Sequence, residues 1–163
     1  MGSGKSTVGK HLAVLSNLRF IDLDNYIEEG EKMPVPKIFE QKGELYFRKK
    51  EHSYLTEIVQ SNQDFVLATG GGTPCYGNNL NTILSGTDNV FYLKLSISEL
   101  AKRLSKEKQQ RPLIKNITDE DLPEFIGKHL FERNLYYGRA AHTIECDNRS
   151  PDEVAVEIGR LSV

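Results

Sequence analysis

Short β-branched and aromatic runs alternate with stretches of helical period along the whole chain, and this alternation restricts the fold more than any other feature. Val8, Leu12 and Leu15 fall at i, i+4 and i+7, which predicts a helix over 5–16 with those three on its buried face. Residues 19–23, 65–69 and 90–95 read as strands, and 142–146 as a fourth. Helices are expected over 44–60 and 122–140. Another follows the capping box that opens at Ser96, with Ile97, Leu100, Ala101 and Leu104 on one face. A last helix opens at Ser150, Pro151, Asp152 and Glu153 and is expected to bury Val154, Ile158 and Leu161. Strand and helix in alternation imply an α/β fold, a parallel sheet covered on both faces. Ligands of such sheets sit at the carboxyl ends of the strands.

Composition narrows the function classes. The 163 residues suit one domain, and 38% hydrophobic with 27% charged residues is a globular mixture. Lys plus Arg total 21 against 23 Asp plus Glu, a balance that argues against nucleic acid as a partner. No apolar run approaches the ~20 residues of a membrane helix, and the start lacks a basic-then-apolar stretch, so neither a membrane nor a signal peptide is expected. Cys75 and Cys146 lack metal-ligand spacing and read as reduced thiols of a cytoplasmic protein.

The chain opens Gly2, Ser3, Gly4, Lys5, Ser6, Thr7 directly before the first helix. Glycines let backbone N–H groups face a polyphosphate, and the helix start adds its positive end. Lys5 would reach the β- and γ-phosphates of a nucleotide, and the Ser6 hydroxyl would ligate Mg²⁺. Asp22 and Asp24 end the next strand two residues apart, which places both on one face. One can hold the metal through water while the other orients or deprotonates an attacking hydroxyl. The competing reading makes Asp24 the N-cap of the following helix.

Two arginines stand on apolar faces. Arg48 continues the row Leu55, Ile58, Glu51 and Glu44, and Arg133 continues the row Leu122, Phe125, Ile126, His129 and Leu130. Each is either a structural ion pair, for Arg48 with Glu44 or Glu51, or part of a pocket for an anionic substrate, since guanidinium forks match carboxylates. Gly70, Gly71 and Gly72 directly follow a strand and permit close approach to a ligand. The polar stretch leading to Arg111 reads either as a surface loop or as a lid that brings Arg111 to a transferring phosphoryl group. None of the four histidines has a catalytic setting, and Tyr136 and Tyr137 read as packing residues.

Taken in order, M-G-S-G-K-S-T, F-I-D-L-D, I-F-E-Q-K-G-E-L-Y-F-R-K-K-E, L-A-T-G-G-G-T-P, R-P-L-I and E-R-N-L-Y-Y resemble the shikimate kinases over nearly the whole chain. The resemblance implies a three-layer P-loop kinase fold whose parallel sheet has the order 2-3-1-4-5, here without strand 1. It implies one domain over 1–163, with a substrate-binding region at about 24–60 and a lid at about 105–118. The reaction implied is transfer of the ATP γ-phosphoryl group to the 3-hydroxyl of shikimate, with Mg²⁺, by a monomer. In that scheme Lys5, Asp24 and Arg111 are catalytic. Gly2, Ser3, Gly4, Lys5, Ser6, Thr7, Arg111 and Arg149 bind ATP. Asp24, Arg48, Gly70, Gly71, Gly72 and Arg133 bind shikimate, and Ser6 and Asp22 hold the metal. Leu135 stands where the family usually has proline, and Arg103 is an approximate match to a second basic residue at the adenine.

Two other readings compete: a related P-loop kinase acting on gluconate or a nucleotide, and a truncated nucleotide-binding module without turnover. A further expectation is that about ten more residues precede Met1, ending in the loop's first glycine and carrying a strand of the usual ~5–6 residues.

Overall fold

The computed structural model describes residues 2–108, 111 and 113–162. Helix α1 (Lys5–Ser16) leads into β1 (Arg19–Asp22), α2 (Leu23–Glu31) and α3 (Val35–Val59). Then come β2 (Phe65–Ala68), a 3₁₀ turn (Thr73–Cys75), α4 (Asn79–Gly86), β3 (Phe91–Lys94) and α5 (Ile97–Ser105). The chain ends with α6 (Leu122–Tyr137), β4 (His142–Glu145) and α7 (Pro151–Leu161).

All strand pairing is parallel. β1 pairs with β2, Arg19 opposite Phe65 and Asp22 opposite Ala68, and β3 pairs with β4, Phe91 opposite His142 and Lys94 opposite Glu145. Among the described residues no ladder joins β2 to β3, so the strands form two two-stranded sheets. The core divides the same way. One cluster gathers Ile21, Leu23, Ile27, Ile38, Phe47, Leu55 and Ile58 around β1, α2 and α3. The other gathers Val8 with Leu93, Leu95, Leu104, Ile126, Ile144 and Ile158 around β3, β4 and the helices that cover them. Helix α1 touches β1 and β2 on one side and α7 on the other. Its close seat needs Gly9, where a Cβ would stand 2.6 Å from the Phe20 ring.

Helix ends follow local chemistry. Ser150 and Glu153 close the expected capping box at α7, and Ser96 accepts from the Glu99 amide at α5. Gly43, at φ 81° and ψ 169°, interrupts α3, so the expected helix from residue 44 is its second half. Three expected core residues face outward. Leu15 is 59% exposed, Ile97 41% and Leu161 38%, because the neighbouring elements cover other sides of their helices. The short α4 had no periodic signal long enough to find.

Candidate active site

The carboxyl ends of β1 and β2 and the start of α1 meet at one place. Gly2 and Gly4 adopt left-handed φ values of 73° and 80°, which side chains resist, and Gly4 leads straight into α1. Lys5 is partly buried, and that burial lowers its pKa against the opposing pull of Asp24. The field of Arg111 and Arg133 pushes in the same direction as burial, so Lys5, Arg111 and Arg133 share one neighbourhood. The Lys5 ammonium donates to Ser3 at 3.4 Å, and the Ser6 hydroxyl donates to Asp22 Oδ2 at 2.6 Å. Thr7 lies exposed on the first turn.

The cap of α2 is Asp22. Its Oδ1 accepts from the amides of Asp24 at 3.1 Å and Asn25 at 3.4 Å. The capping alternative for Asp24 is therefore taken by its neighbour. The strand also stops at Asp22, so Asp24 reaches the site from the first turn of α2, not from the period of a strand. Its carboxylate lies 3.3 Å from where a Cβ on Gly70 would sit, beside the glycine run. Burial raises the Asp24 pKa, the negative fields of Asp22 and Glu51 add to the rise, and Lys5 opposes it.

Arg48 makes the expected ion pairs, and it also lies beside the glycine run. Its guanidinium donates to Glu51 at 3.0 Å and Glu44 at 3.4 Å, and it also faces the glycine run, 3.4 Å from a Cβ position on Gly72. It stacks 3.6 Å over the Tyr76 ring. Glu51 is 1% exposed and accepts from the Thr73 hydroxyl at 2.8 Å and the Asn79 amide at 3.5 Å. Asn79 also donates to the Thr73 carbonyl and receives His52 at 2.8 Å. Arg133, on α6, has no carboxylate partner among the described residues, and its field reaches Cys75 together with that of Arg48. Two guanidinium groups, one carboxylate of raised pKa and a bare glycine backbone thus gather in the neighbourhood of Lys5. Groups of these kinds can bind a small hydroxylated anion beside the glycine loop at the start of α1.

Comparison with known proteins decides the family, because the model describing shikimate kinase matches residues 1–161. The chain belongs to the shikimate kinase family. The shikimate kinase of Flavobacterium johnsoniae is 46% identical over 159 residues, 97% of this chain and 92% of that one. That of Flavobacterium psychrophilum is 45% identical over 162 residues, 99% and 94%. Among solved structures, the shikimate kinase of Bacteroides thetaiotaomicron superposes with a TM-score of 0.88 at 34% identity, covering 99% of this chain and 91% of that one. The shikimate kinase of Acinetobacter baumannii in complex with shikimate gives 0.87 at 33% identity, covering 99% and 87%. The fold is the α/β P-loop kinase fold of these structures.

In this shikimate kinase family member the other expected nucleotide residues lie on the β3–β4 half. Arg103 pairs with Glu99 at 2.8 Å, and its guanidinium lies 3.9 Å from a Cβ position on Gly4. Arg149 donates to the carbonyls of Glu145 and Glu153 and pairs with Glu157. Both arginines bear on Cys146, which places the approximate match, Arg103, on the same side as Arg149. Arg111 pairs with Glu107 at 2.6 Å. Gln109, Gln110 and Pro112, part of the expected lid, lie outside the described residues. Ile114, inside the expected lid, is fully buried in the core. Glu51 was visible as a charge on a core stripe. Thr73, Asn79, Tyr76 and the Tyr137 hydroxyl had no local signal, since their partners are distant in the chain.

Proposed function

We propose that the chain transfers the γ-phosphoryl group of ATP to the 3-hydroxyl of shikimate. The convergence of Arg48, Arg133, Asp24 and the glycine run beside Lys5 carries this reading. The substrate carboxylate would take the guanidinium forks of Arg48 and Arg133. Its ring hydroxyls would lie against Asp24 and the N–H groups of the Gly70–Gly72 run. Asp24 is suited to the proton, because a carboxylate with a raised pKa accepts one more readily at neutral pH. As the hydroxyl oxygen attacks the γ-phosphorus, its proton passes to Asp24 and the bond to the β-phosphate oxygen breaks, leaving ADP. Arrival of the polyphosphate favours the charged form of Lys5 and turns its ammonium toward the transferring group. Arg111 would exchange Glu107 for the same group as the lid closes.

Ser6 and Asp22 suit a magnesium ion: two oxygen donors 2.6 Å apart at the phosphate loop, where such ions take one or two carboxylate contacts plus substrate phosphates. When bound, the ion would neutralise charge on the phosphate oxygens. Arg149 and Arg103 would flank the adenine. No helix among the described residues is long and apolar enough to cross a membrane, and the free thiols of Cys75 and Cys146 suit a reducing cytoplasm. A coupled ADP-release assay with shikimate and with gluconate tests the substrate. Turnover on shikimate alone is expected; turnover on gluconate alone, or ATP binding without turnover, overturns the reading.

A further inference from the structure

The glycine run ends in a tight turn. The Thr73 amide donates to the Gly70 carbonyl at 3.1 Å, so Gly71 and Gly72 are the central residues of a β-turn. Gly72 has φ −84° and ψ −23°, the type I arrangement. The type II alternative differs by a half-rotation of the peptide between Gly71 and Gly72 and needs a φ near +80° at the second position. Most residues resist that angle, whereas glycine adopts it freely. A turn with glycine at both centres therefore has little of its own to decide which way this peptide faces.

Two side chains outside the turn donate to the Gly71 carbonyl, and the Cys75 thiol, at 4.0 Å, is the weaker. The Tyr137 hydroxyl, 66 residues away, donates to the Gly71 carbonyl at 2.6 Å. The Tyr137 ring is fixed against Tyr92 of β3, with centroids 4.9 Å apart. Arg133 lies one turn earlier on α6, near enough for its charge to act on the Tyr137 hydroxyl against the effect of burial. In a trans peptide the N–H points opposite to the carbonyl. With the Gly71 carbonyl held on the Tyr137 side, the Gly72 N–H faces the other way, and it has no acceptor among the described residues.

We infer that Tyr137 is a positioning residue that locks the Gly71–Gly72 peptide in the type I turn, so that this peptide presents its N–H and not its carbonyl to the anionic substrate. A carbonyl turned to the substrate side would repel a carboxylate and its hydroxyl oxygens, so the lock acts on acceptor binding and leaves the nucleotide site alone.

The test is a cycle of Tyr137→Phe and Gly72→Ala, resting on the shikimate reading above. Phenylalanine keeps the ring on Tyr92 and removes only the hydroxyl. An alanine at 72 fits φ −84°, its Cβ at an ordinary 3.4 Å from Arg48, but is strained near +80°. The expected result is that Tyr137→Phe raises the KM for shikimate roughly five- to tenfold, the scale of one net hydrogen bond, with the KM for ATP within about twofold. Made in the Gly72→Ala background, the same change should move the shikimate KM by less than about twofold, because the alanine now holds the turn. An unchanged KM in Tyr137→Phe overturns the inference. So does an equal rise in both backgrounds, or a joint rise of both KM values with a fall in melting temperature. If the wild-type protein turns over no shikimate, the substrate reading fails separately. The Gly72 amide resonance of the free protein then tests the turn: it should shift or double in Tyr137→Phe and return in the double variant, and an unmoved resonance overturns the lock.

Discussion

The two halves of the molecule hold charge in opposite ways. On the β1–β2 half, the buried polar side chains Glu51, Thr73 and Asn79 form one network under Arg48 and the glycine run. On the β3–β4 half the buried cluster is apolar apart from the Cys146 thiol, and the cations Arg103, Arg111 and Arg149 lie near the surface, paired with Glu99, Glu107 and Glu157. A buried network has few alternatives and fixes the Arg48 guanidinium in one place. Exposed pairs are weak and exchange readily for a phosphate. On the function proposed above, the acceptor side is set before substrate arrives, and the donor side is set by the arrival.

Breaking the buried network should have the largest effect. Glu51→Ala leaves Arg48 without its inner partner and is expected to cost about 3 kcal/mol of stability, the low end for a broken buried pair, read by urea unfolding. Asp24→Asn should fold normally and bind ATP but lose kcat by at least ~10², the scale of a general base. Near-normal turnover would remove Asp24 from the chemistry. Arg48→Ala and Arg133→Ala should each weaken shikimate binding by about 1.5–3 kcal/mol without changing ATP binding. Only the wild type should then discriminate strongly against an analogue whose carboxylate is reduced to an alcohol.

Acidity sharpens the same contrast. With Asp24 as the proposed base, its raised pKa should place the acid limb of kcat/KM higher than an unperturbed aspartate would, activity being lost as pH falls through that value. Glu51→Gln removes one raising field and should move the limb to lower pH, read against the variant's own plateau. Glu31 behaves oppositely. Hydrogen bonds from Tyr46, Lys50, Lys42 and Tyr54 hold its pKa down to about 2 from 4.5. A depressed carboxylate stabilises the fold fully above its unfolded value, and that contribution decays as pH falls from 4.5 toward about 2. Glu31→Gln should flatten the acid-unfolding curve in that window. Glu107→Gln, on the exposed side, should change stability by no more than about 0.5 kcal/mol.

How much of this was legible in the sequence depended on the distance between partners. The phosphate loop, the capping boxes and the β1 and β2 strands are contiguous signals, and the structure has them at or within a residue or two of the expected places. Asp22 and Asp24 were legible as a pair but not in their division of labour, which needed the strand to stop one residue earlier than expected. Helical period marked a face at Leu15, Ile97 and Leu161 without knowing which side a neighbour would cover. Contacts such as Glu51 with Thr73, 22 residues apart, and Tyr137 with Gly71 exist only once the elements are packed.

Asp22 carries a consequence of its two roles. One oxygen caps the amides of Asp24 and Asn25, and the other takes the hydroxyl of Ser6 from the phosphate loop. Charge drawn toward the second oxygen is charge taken from the first. Loading of the loop should therefore be felt as a loosening or tightening of the first turn of α2, the turn on which Asp24 itself is mounted. Hydrogen–deuterium exchange at those two amides would register nucleotide with no acceptor present, making one carboxylate the wire by which the acceptor side senses that the donor has arrived.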